Sequence, residues 1–324
     1  MSEQSSPLVS ILIISYNQED FIEEALVSAL EQDYQNLEII VSDDGSTDST
    51  SYIIKRYAEQ YPDKIVPIVD VENLGITGNS NRGLKRCKGK YIAFQGGDDV
   101  LLPGKISAQV AWFEQNDNHA LCYHDMDVFL SETNETLYYQ SERYKFHEGG
   151  AEKILTHGAY FGGTTAMIRA NRAGQLQFDY RVPIASDWLF WYEAVASCQG
   201  IVGYVDGVYA RYRRHKHNIT NQSDHEIIEA MRTLDIIAQK YPHHRYLANQ
   251  KRAQYYLIDA YRALGRKDFG KCLSAIQRSI VACDGLWLAP FKLVHTRLQG
   301  TKGGYAKVRK LFDFFRFKQS NHTQ

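Results

Sequence analysis

Two carboxylates stand side by side where an apolar run ends, in Phe94-Gln95-Gly96-Gly97-Asp98-Asp99. Adjacent like charges repel, so a divalent cation is a natural neutraliser. Oxygen ligands select a hard ion, and Mg2+ or Mn2+ typically reaches a protein through one or two carboxylates plus substrate phosphates. A diphosphate leaving group needs such Lewis-acid support, because charge builds on its oxygen as the bond to it breaks. The plainer reading is a capped loop ahead of the helix that follows Pro103. A third acid, Asp187, opens the aromatic-rich run Ala185-Ser186-Asp187-Trp188-Leu189-Phe190-Trp191-Tyr192-Glu193. An Asp there commonly caps a helix or favours its dipole. Partial burial beside Trp188 or Trp191 would instead raise its pKa towards that of a general base able to take a proton from a hydroxyl.

Three further segments are polar in a suggestive way. Ser15-Tyr16-Asn17 offers an aromatic face and an amide that can pair with a base edge. Asp43-Asp44-Gly45-Ser46-Thr47-Asp48 offers a carboxylate that can accept from a nucleoside imide or amide. The same residue types also make ordinary turns and caps. Tyr212-Arg213-Arg214-His215-Lys216-His217-Asn218-Ile219-Thr220 gathers cationic side chains behind a strand-like run over 200–211. It can grip a diphosphate, with His215 also ligating a metal, or it can be a solvated basic loop.

These segments need a scaffold that brings distant parts of the chain to one edge. The early chain alternates short apolar runs with amphipathic stretches, as a parallel sheet of βαβ units does. Residues 9–14 are apolar on both faces, which suits a central parallel strand. Phe21, Ile22, Ala25, Leu26, Ala29 and Leu30 then recur at helical spacing behind Asp20, a good N-cap. The pattern predicts strands over 37–41, 65–71 and 90–94 and a helix over 50–60 stopped by Pro62. Each strand ends in polar residues, and open α/β sheets bind ligands at the carboxyl ends of their strands. Residues 121–129 and 136–140 read as strands able to pair antiparallel. After about residue 226 strand signals fade, and a helix pair divided near Gly265 resembles one tetratricopeptide-like hairpin.

Composition bounds the rest. A chain of 324 residues, 44% hydrophobic, can bury one large domain or a domain plus a smaller appendage. Lys and Arg number 37 against 38 Asp and Glu, so no global field favours nucleic acid or an acidic membrane, and no nucleic-acid partner is expected. The five cysteines are widely spaced without a C-x-x-C pair, which suits buried thiols in a reducing cytosol. Met1-Ser2-Glu3-Gln4-Ser5-Ser6 lacks a basic region with an apolar core, and no stretch nears the ~18 uncharged residues of a membrane span. The expectation is a cytoplasmic protein. Beyond Gly285, Lys and Arg interleave with Trp287, Phe291, Phe312 and Phe315, with Asp313 the only acid. That tail suits either an amphipathic helix on an anionic membrane surface or a segment packed on the helical appendage.

Taken in order, the five segments resemble the inverting glycosyltransferases of family two, which carry the GT-A fold, a Rossmann-like mixed α/β sheet. The resemblance covers residues 7–220. It rests on 9–17 followed by 38–48, on Asn73-Leu74-Gly75 with Asn81 and Gly83, and on 89–99, 186–191 and 212–220. It implies a catalytic domain over 1–225 and a helical C-terminal region over 226–324 with the basic tail. It further implies a nucleotide-sugar donor, with a UDP-sugar favoured, held by Ser15, Tyr16, Asn17, Asp44, Asn73, Asn81, Arg82, Asp98, Arg213 and Arg214. Mn2+ or Mg2+ would sit on Asp99, Asp98 and His215, and Asp187 would be the catalytic base. The implied acceptor is a glycan or lipid-linked glycan of bacterial cell-surface polysaccharide synthesis, which would make peripheral contact of the tail with the inner face of the cytoplasmic membrane useful.

Two departures from the family pattern matter. Many relatives have Asp at the place of Gly96 and Glu before the base, where this chain has Ser186. The metal is therefore expected to lean on Asp99, with Asp98 meeting the sugar or ribose. Many also have Ala-Arg-Asn where this chain reads Asn79-Ser80-Asn81, so an Arg contact to the nucleotide is missing or comes from Arg82. A nucleotidyltransferase is the rival enzyme, but strand one carries no Gly-rich, Lys-bearing phosphate loop. A non-catalytic binding protein is the rival of another class, and retention of Asp99 and Asp187 argues against it.

Overall fold

Strand β1 (Val9–Ser15) lies between β2 (Leu37–Asp43) and β4 (Tyr91–Gly96), parallel to both. Val9, Ile11, Leu12 and Ile13 are fully buried, because helices cover both faces of a central parallel strand. In the computed structural model, which describes residues 6–158, 160–170, 176–216, 218 and 223–283, the sheet runs β3-β2-β1-β4-β8-β6-β9-β5. Here β3 is Ile65–Ile68, β5 Val100–Leu101, β6 His119–Leu130, β8 Met167–Arg169 and β9 Ile201–Arg214. A further strand, β7 (Thr136–Tyr139), pairs antiparallel with β6, as expected of the two segments. The order reverses between β1 and β4, and this switch point is where an open α/β sheet leaves a crevice at its strand ends. The register keeps those ends level: Ser15 is opposite Asp43, and Ile14 is opposite both Ser42 and Gly96.

Helices α1 (Ile22–Leu30), α2 (Thr50–Gln60), α3 (Gly75–Leu84) and α4 (Lys105–Gln115) connect the strands. Periodic apolar residues form α1, α2 and α4, with Ile22, Leu26, Ile54, Ile106, Val110 and Phe113 in the main core. The expected Asp20 cap is not used. Helix α1 follows Phe21 without a side-chain cap bond, and the Gln18 carbonyl instead accepts the Phe21 and Ile22 N–H groups. Strand β3 stops at Ile68, short of the expected residue 71; it carries Pro67 and exposes Val66, as suits an edge strand.

Helix α3 was not legible as a helix, since Gly-Ile-Thr-Gly-Asn-Ser-Asn-Arg-Gly-Leu has poor propensity. It forms because its buried face is polar and bonds to the sheet. Asn79 gives its amide N–H to the Ser42 carbonyl (2.8 Å) and accepts from the Ser42 hydroxyl (2.6 Å). Gly83 permits the approach: a Cβ there would stand 2.5 Å from Leu12 Cδ1. Beyond β4 the chain adds α5 (Ala151–His157), a 3-10 turn at Gly163–Thr165 and α6 (Ser186–Ala196).

The chain divides into two compact units. The first comprises residues 1–142, 146–154 and 158–229, and the second 143–145, 155–157 and 230–324. Helix α7 (Ser223–Lys240) spans the boundary at 229/230. Within the second unit, α8 (Arg245–Gly265) and α9 (Phe269–Ala282) pack through Leu257, Ala260, Ala263, Cys272, Ala275 and Ile276, and Asp268 caps α9 by accepting the Lys271 N–H. Of the five free thiols, Cys122, Cys272 and Cys283 are buried, whereas Cys87 and Cys198 are half-buried. Among the described residues no helix is long and apolar enough to cross a membrane. The basic tail singled out above lies outside the described residues.

Candidate active site

The acidic doublet follows β4 directly, and its two members have different surroundings. Asp99 turns inward and is 4% exposed. One carboxylate oxygen accepts the Arg213 backbone N–H at 3.1 Å, and the other accepts the Thr164 hydroxyl. Burial, then the charge of Asp98, push its carboxyl well above the ordinary value, while those two hydrogen bonds pull the other way. Asp98 turns the opposite way. Its Oδ2 lies 3.0 Å from His215 Nε2 and 3.4 Å from Asn218 Nδ2. Gly96 permits this close turn, since a Cβ there would come within 2.8 Å of Asp98 Oδ1. Of the three residues expected to hold a metal, Asp99 is thus engaged by the scaffold, and Asp98 pairs with His215.

The β9 residues alternate in their roles. Arg213, expected to grip a diphosphate, is 6% exposed and faces the core. It gives Nε–H to the Asp98 carbonyl (2.8 Å), pairs with the Glu24 carboxylate and lies over the rings of Phe21 and Phe129 at 5.0 and 4.7 Å. Its task is to hold the backbone of the doublet from below. Arg214, the next residue along the strand, is half-buried, and its carbonyl accepts the Ser131 N–H. His215 packs its ring against Phe21, with centroids 4.8 Å apart.

At the ends of β1 and β2, Tyr16 is 48% exposed. Asn17 adopts a left-handed conformation (φ 50°), which Asn tolerates, and ties the two ends together: its N–H reaches Ser46 Oγ at 2.8 Å and its amide oxygen accepts the Thr47 N–H at 2.9 Å. Ser15 donates to Asp43 at 3.0 Å, so that hydroxyl serves the turn. Asp44, 3% exposed, accepts the Leu74 N–H at 2.9 Å and lies 3.8 Å from Arg82 Nη1, while Arg82 Nη2 donates to the Glu72 carbonyl. Asn73 is exposed and caps the start of α3 by accepting the Gly75 N–H. Asn81, also expected to contact the donor, is 1% exposed, and its amide bonds to Phe178, donating to that carbonyl at 2.9 Å and accepting that N–H at 2.8 Å.

Asp187 lies in the first turn of α6. Its carboxylate accepts the Trp188 N–H at 2.8 Å, and no side chain caps the helix. The residue is open to solvent yet has dense protein around it. Desolvation by that surrounding mass raises its pKa; the Trp188 and own-backbone N–H groups oppose the rise, and the Glu229 charge adds to it.

Two chains of contacts join Asp187 to the strand ends. On one side, Thr164 holds Asp99, and neighbouring Gly163 faces Trp191, whose ring a Cβ at Gly163 would meet at 4.0 Å; Trp191 stands one helical turn from Asp187 and packs edge-on against Phe94 of β4 at 4.8 Å. On the other, Thr77 of α3 lies 2.9 Å from the Ser186 hydroxyl, while Asn79 bonds to Ser42 and reaches the Ser15 carbonyl at 3.4 Å. Thr77, Asn79, Thr164 and Glu24 had no sequence signal as site residues; apolar periodicity reports which face of an element is buried and not which distant partner a single polar residue meets.

A mixed sheet with acids, amides and a His-Asp pair converging on its switch point is the architecture of the GT-A glycosyltransferases, and this chain has that fold and is a glycosyltransferase. The family model for glycosyl transferase family 2 matches residues 10–173, and the chain belongs to that family. An uncharacterized glycosyltransferase of Haemophilus influenzae is 31% identical over 232 residues, covering 69% of this chain and 70% of the relative. Among solved structures, S. aureus TarS 1-349 in complex with UDP-GlcNAc superposes with a TM-score of 0.65 at 17% identity, covering 94% of this chain and 91% of that one. The mannosyltransferase PcManGT from Pyrobaculum calidifontis, in complex with GDP-Man and Mn2+, gives 0.61 at 18% identity, covering 94% and 84%.

Proposed function

We propose that this glycosyltransferase is metal-dependent and inverting, and that it moves a sugar from a nucleotide-sugar donor to a hydroxyl of a glycan or lipid-linked glycan during cell-surface polysaccharide synthesis. The observation that carries the reading is the double linkage of Asp187 to the strand ends, through Thr164 and Trp191 to the acidic end of β4 and through α3 to the ends of β1 and β2. A base and a leaving-group site tied to one frame are what an in-line displacement requires.

The residues present fit a hard divalent ion. Asp98 Oδ2 and His215 Nε2 are 3.0 Å apart, close to the separation of about 3.0 Å between adjacent ligands on an octahedral ion with bonds of about 2.1 Å. Among the described residues no third His, Cys, Asp or Glu joins them, which suits an ion that takes its other ligands from water and diphosphate. An ion bound there supplies Lewis-acid stabilisation of the departing nucleoside diphosphate. The chain's own residues do the rest. Arg213 and Thr164 fix the doublet, Asp44 and the exposed Tyr16 ring receive the nucleoside, and Arg214 supports the phosphates. Asp187 takes the acceptor hydroxyl proton as that oxygen attacks the anomeric carbon from the face opposite the diphosphate. The nucleotide sugars in the two structural relatives support the donor class, and the Mn2+ in one supports the ion.

A thermal-shift screen of UDP, GDP and dTDP with and without Mn2+ tests the donor and metal assignments, because a ligand of the native state alone raises the melting temperature. A shift that needs both nucleotide and Mn2+ is expected; no shift with any pair rejects the reading. Proton NMR of the product anomeric centre tests inversion.

A further inference from the structure

The turn that delivers Asp187 is held by a carboxylate from a distant part of the chain. Glu229, in the part of α7 that belongs to the first unit, is 3% exposed. One of its oxygens accepts the Ala185 N–H at 2.5 Å, and the Ile184 N–H lies 3.1 and 3.2 Å from the two oxygens. These amides precede the first turn of α6, whose N–H groups have no carbonyl partner within the helix and leave a partial positive charge that a carboxylate satisfies. From the other side, Thr77 Oγ1 lies 3.1 Å from the carbonyls of Val182 and Pro183 and 2.9 Å from Ser186 Oγ. The segment from Val182 to Ser186 is thus gripped on its N–H side by α7 and on its carbonyl side by α3, with Asp187 the next residue.

We propose that Glu229 is a positioning residue for Asp187: its carboxylate clamps the turn before α6 and so fixes where Asp187 stands. The inference rests on the reading of Asp187 as the base. A second consequence follows from charge. Of the charged groups around this turn, Arg181 is engaged by Asp179 at 2.6 Å and Glu193 lies six residues further along α6, whereas the Glu229 charge acts on the Asp187 carboxyl and favours its protonated form. The proton affinity of Asp187 is therefore set partly from α7. Ser186 brings no charge of its own, and Glu229 supplies a carboxylate to this turn from elsewhere in the sequence.

The test does not depend on knowing the acceptor. The full-length protein is labelled with a water-soluble carbodiimide and glycine ethyl ester across a pH series, and coupling at Asp187, which is solvent-open, is read by peptide mass spectrometry. Coupling needs the protonated carboxyl, so its pH midpoint reports that group. In Glu229→Gln the midpoint should move to lower pH, while in Thr77→Val, which loosens the grip without changing charge, it should stay. Sugar-nucleotide hydrolysis is followed in parallel: kcat should fall roughly 10- to 100-fold in both variants, as expected for a displaced catalytic group, with KM within about two-fold. An unmoved midpoint together with unchanged kcat in Glu229→Gln overturns the proposal. If the Gln variant does not fold, Glu229→Asp keeps the charge but shortens the reach, and wild-type kcat there overturns it equally. Asp187→Asn is the control that separates the two claims. If it retains wild-type turnover, the base reading falls and this inference with it; if it is inactive while Glu229→Gln behaves as wild type, only the role of Glu229 falls.

Discussion

Asp98 Oδ2 and His215 Nε2 meet at 3.0 Å although 117 positions separate them in the chain. One closes β4 and the other follows β9, strands that are not neighbours in the sheet. Phe21 packs on the imidazole and Arg213 grips the backbone of Asp98, so the pair is set before any ligand arrives.

That arrangement predicts the metal dependence of the site. Asp98→Ala and His215→Ala should each weaken Mn2+-dependent nucleoside diphosphate binding by about 10-fold or more. Calorimetric titration of the nucleotide with and without Mn2+ checks this, and an unchanged Mn2+ effect in both variants rejects the pair as ligands.

Asp187→Asn should keep nucleotide affinity and lose transfer by a factor of about 100 to 10,000, the usual contribution of a general base. Release of nucleoside diphosphate gives the rate, and a thermal-shift titration gives the affinity. Because burial raises the Asp187 carboxyl, the acidic limb of the pH–rate profile should lie above the ~3.9 of an ordinary Asp. The rate is present while the carboxyl is ionised and is lost as pH falls through that raised value.

Thr164→Val tests the inward role of Asp99. The swap conserves shape but leaves one oxygen of a buried carboxyl without its donor. Such an orphaned acceptor costs about 1–3 kcal/mol. Urea unfolding should show that loss; equal stability would mean that the Asp99 oxygen finds another partner.

A fourth prediction concerns a lysine buried at the start of α4. Lys105 is fully buried, donates to Gln109 Oε1 at 2.6 Å, and burial lowers its pKa to about 7. In the unfolded chain it titrates near ~10.4. Between those values the unfolded state binds the extra proton, so this residue makes stability rise with pH, by at most about 1.4 kcal/mol per unit. Below about pH 7 the cost of burying the charge is fully present. Lys105→Met should flatten the dependence, and unfolding midpoints of both proteins at pH 7, 8 and 9 make the comparison. Parallel slopes would contradict the shift.

Much of the frame was legible because it is periodic. The apolar run of β1 and the helical spacing of α1 each announce an element, and the polar ends of β1, β2 and β4 announce the edge that matters. Helix α3 was hidden, since its helix-poor residues are stabilised by bonds to strands elsewhere in the chain rather than by their own propensity.

The residue types alone set out the chemistry on offer beside its plainer alternatives: paired acids for a hard cation or a capped loop, a lone acid beside tryptophans for proton transfer or a helix cap, and a basic cluster for phosphate or a solvated loop. Only the tertiary structure decided which partner each one takes. Asp99, Asn81 and Arg213 bond into the scaffold, while Asp98 pairs with His215 and Asp187 stays exposed. The physical reason is that a side chain's direction follows from strand register and from the partners that satisfy it once buried, and those partners come from residues tens to more than a hundred positions away.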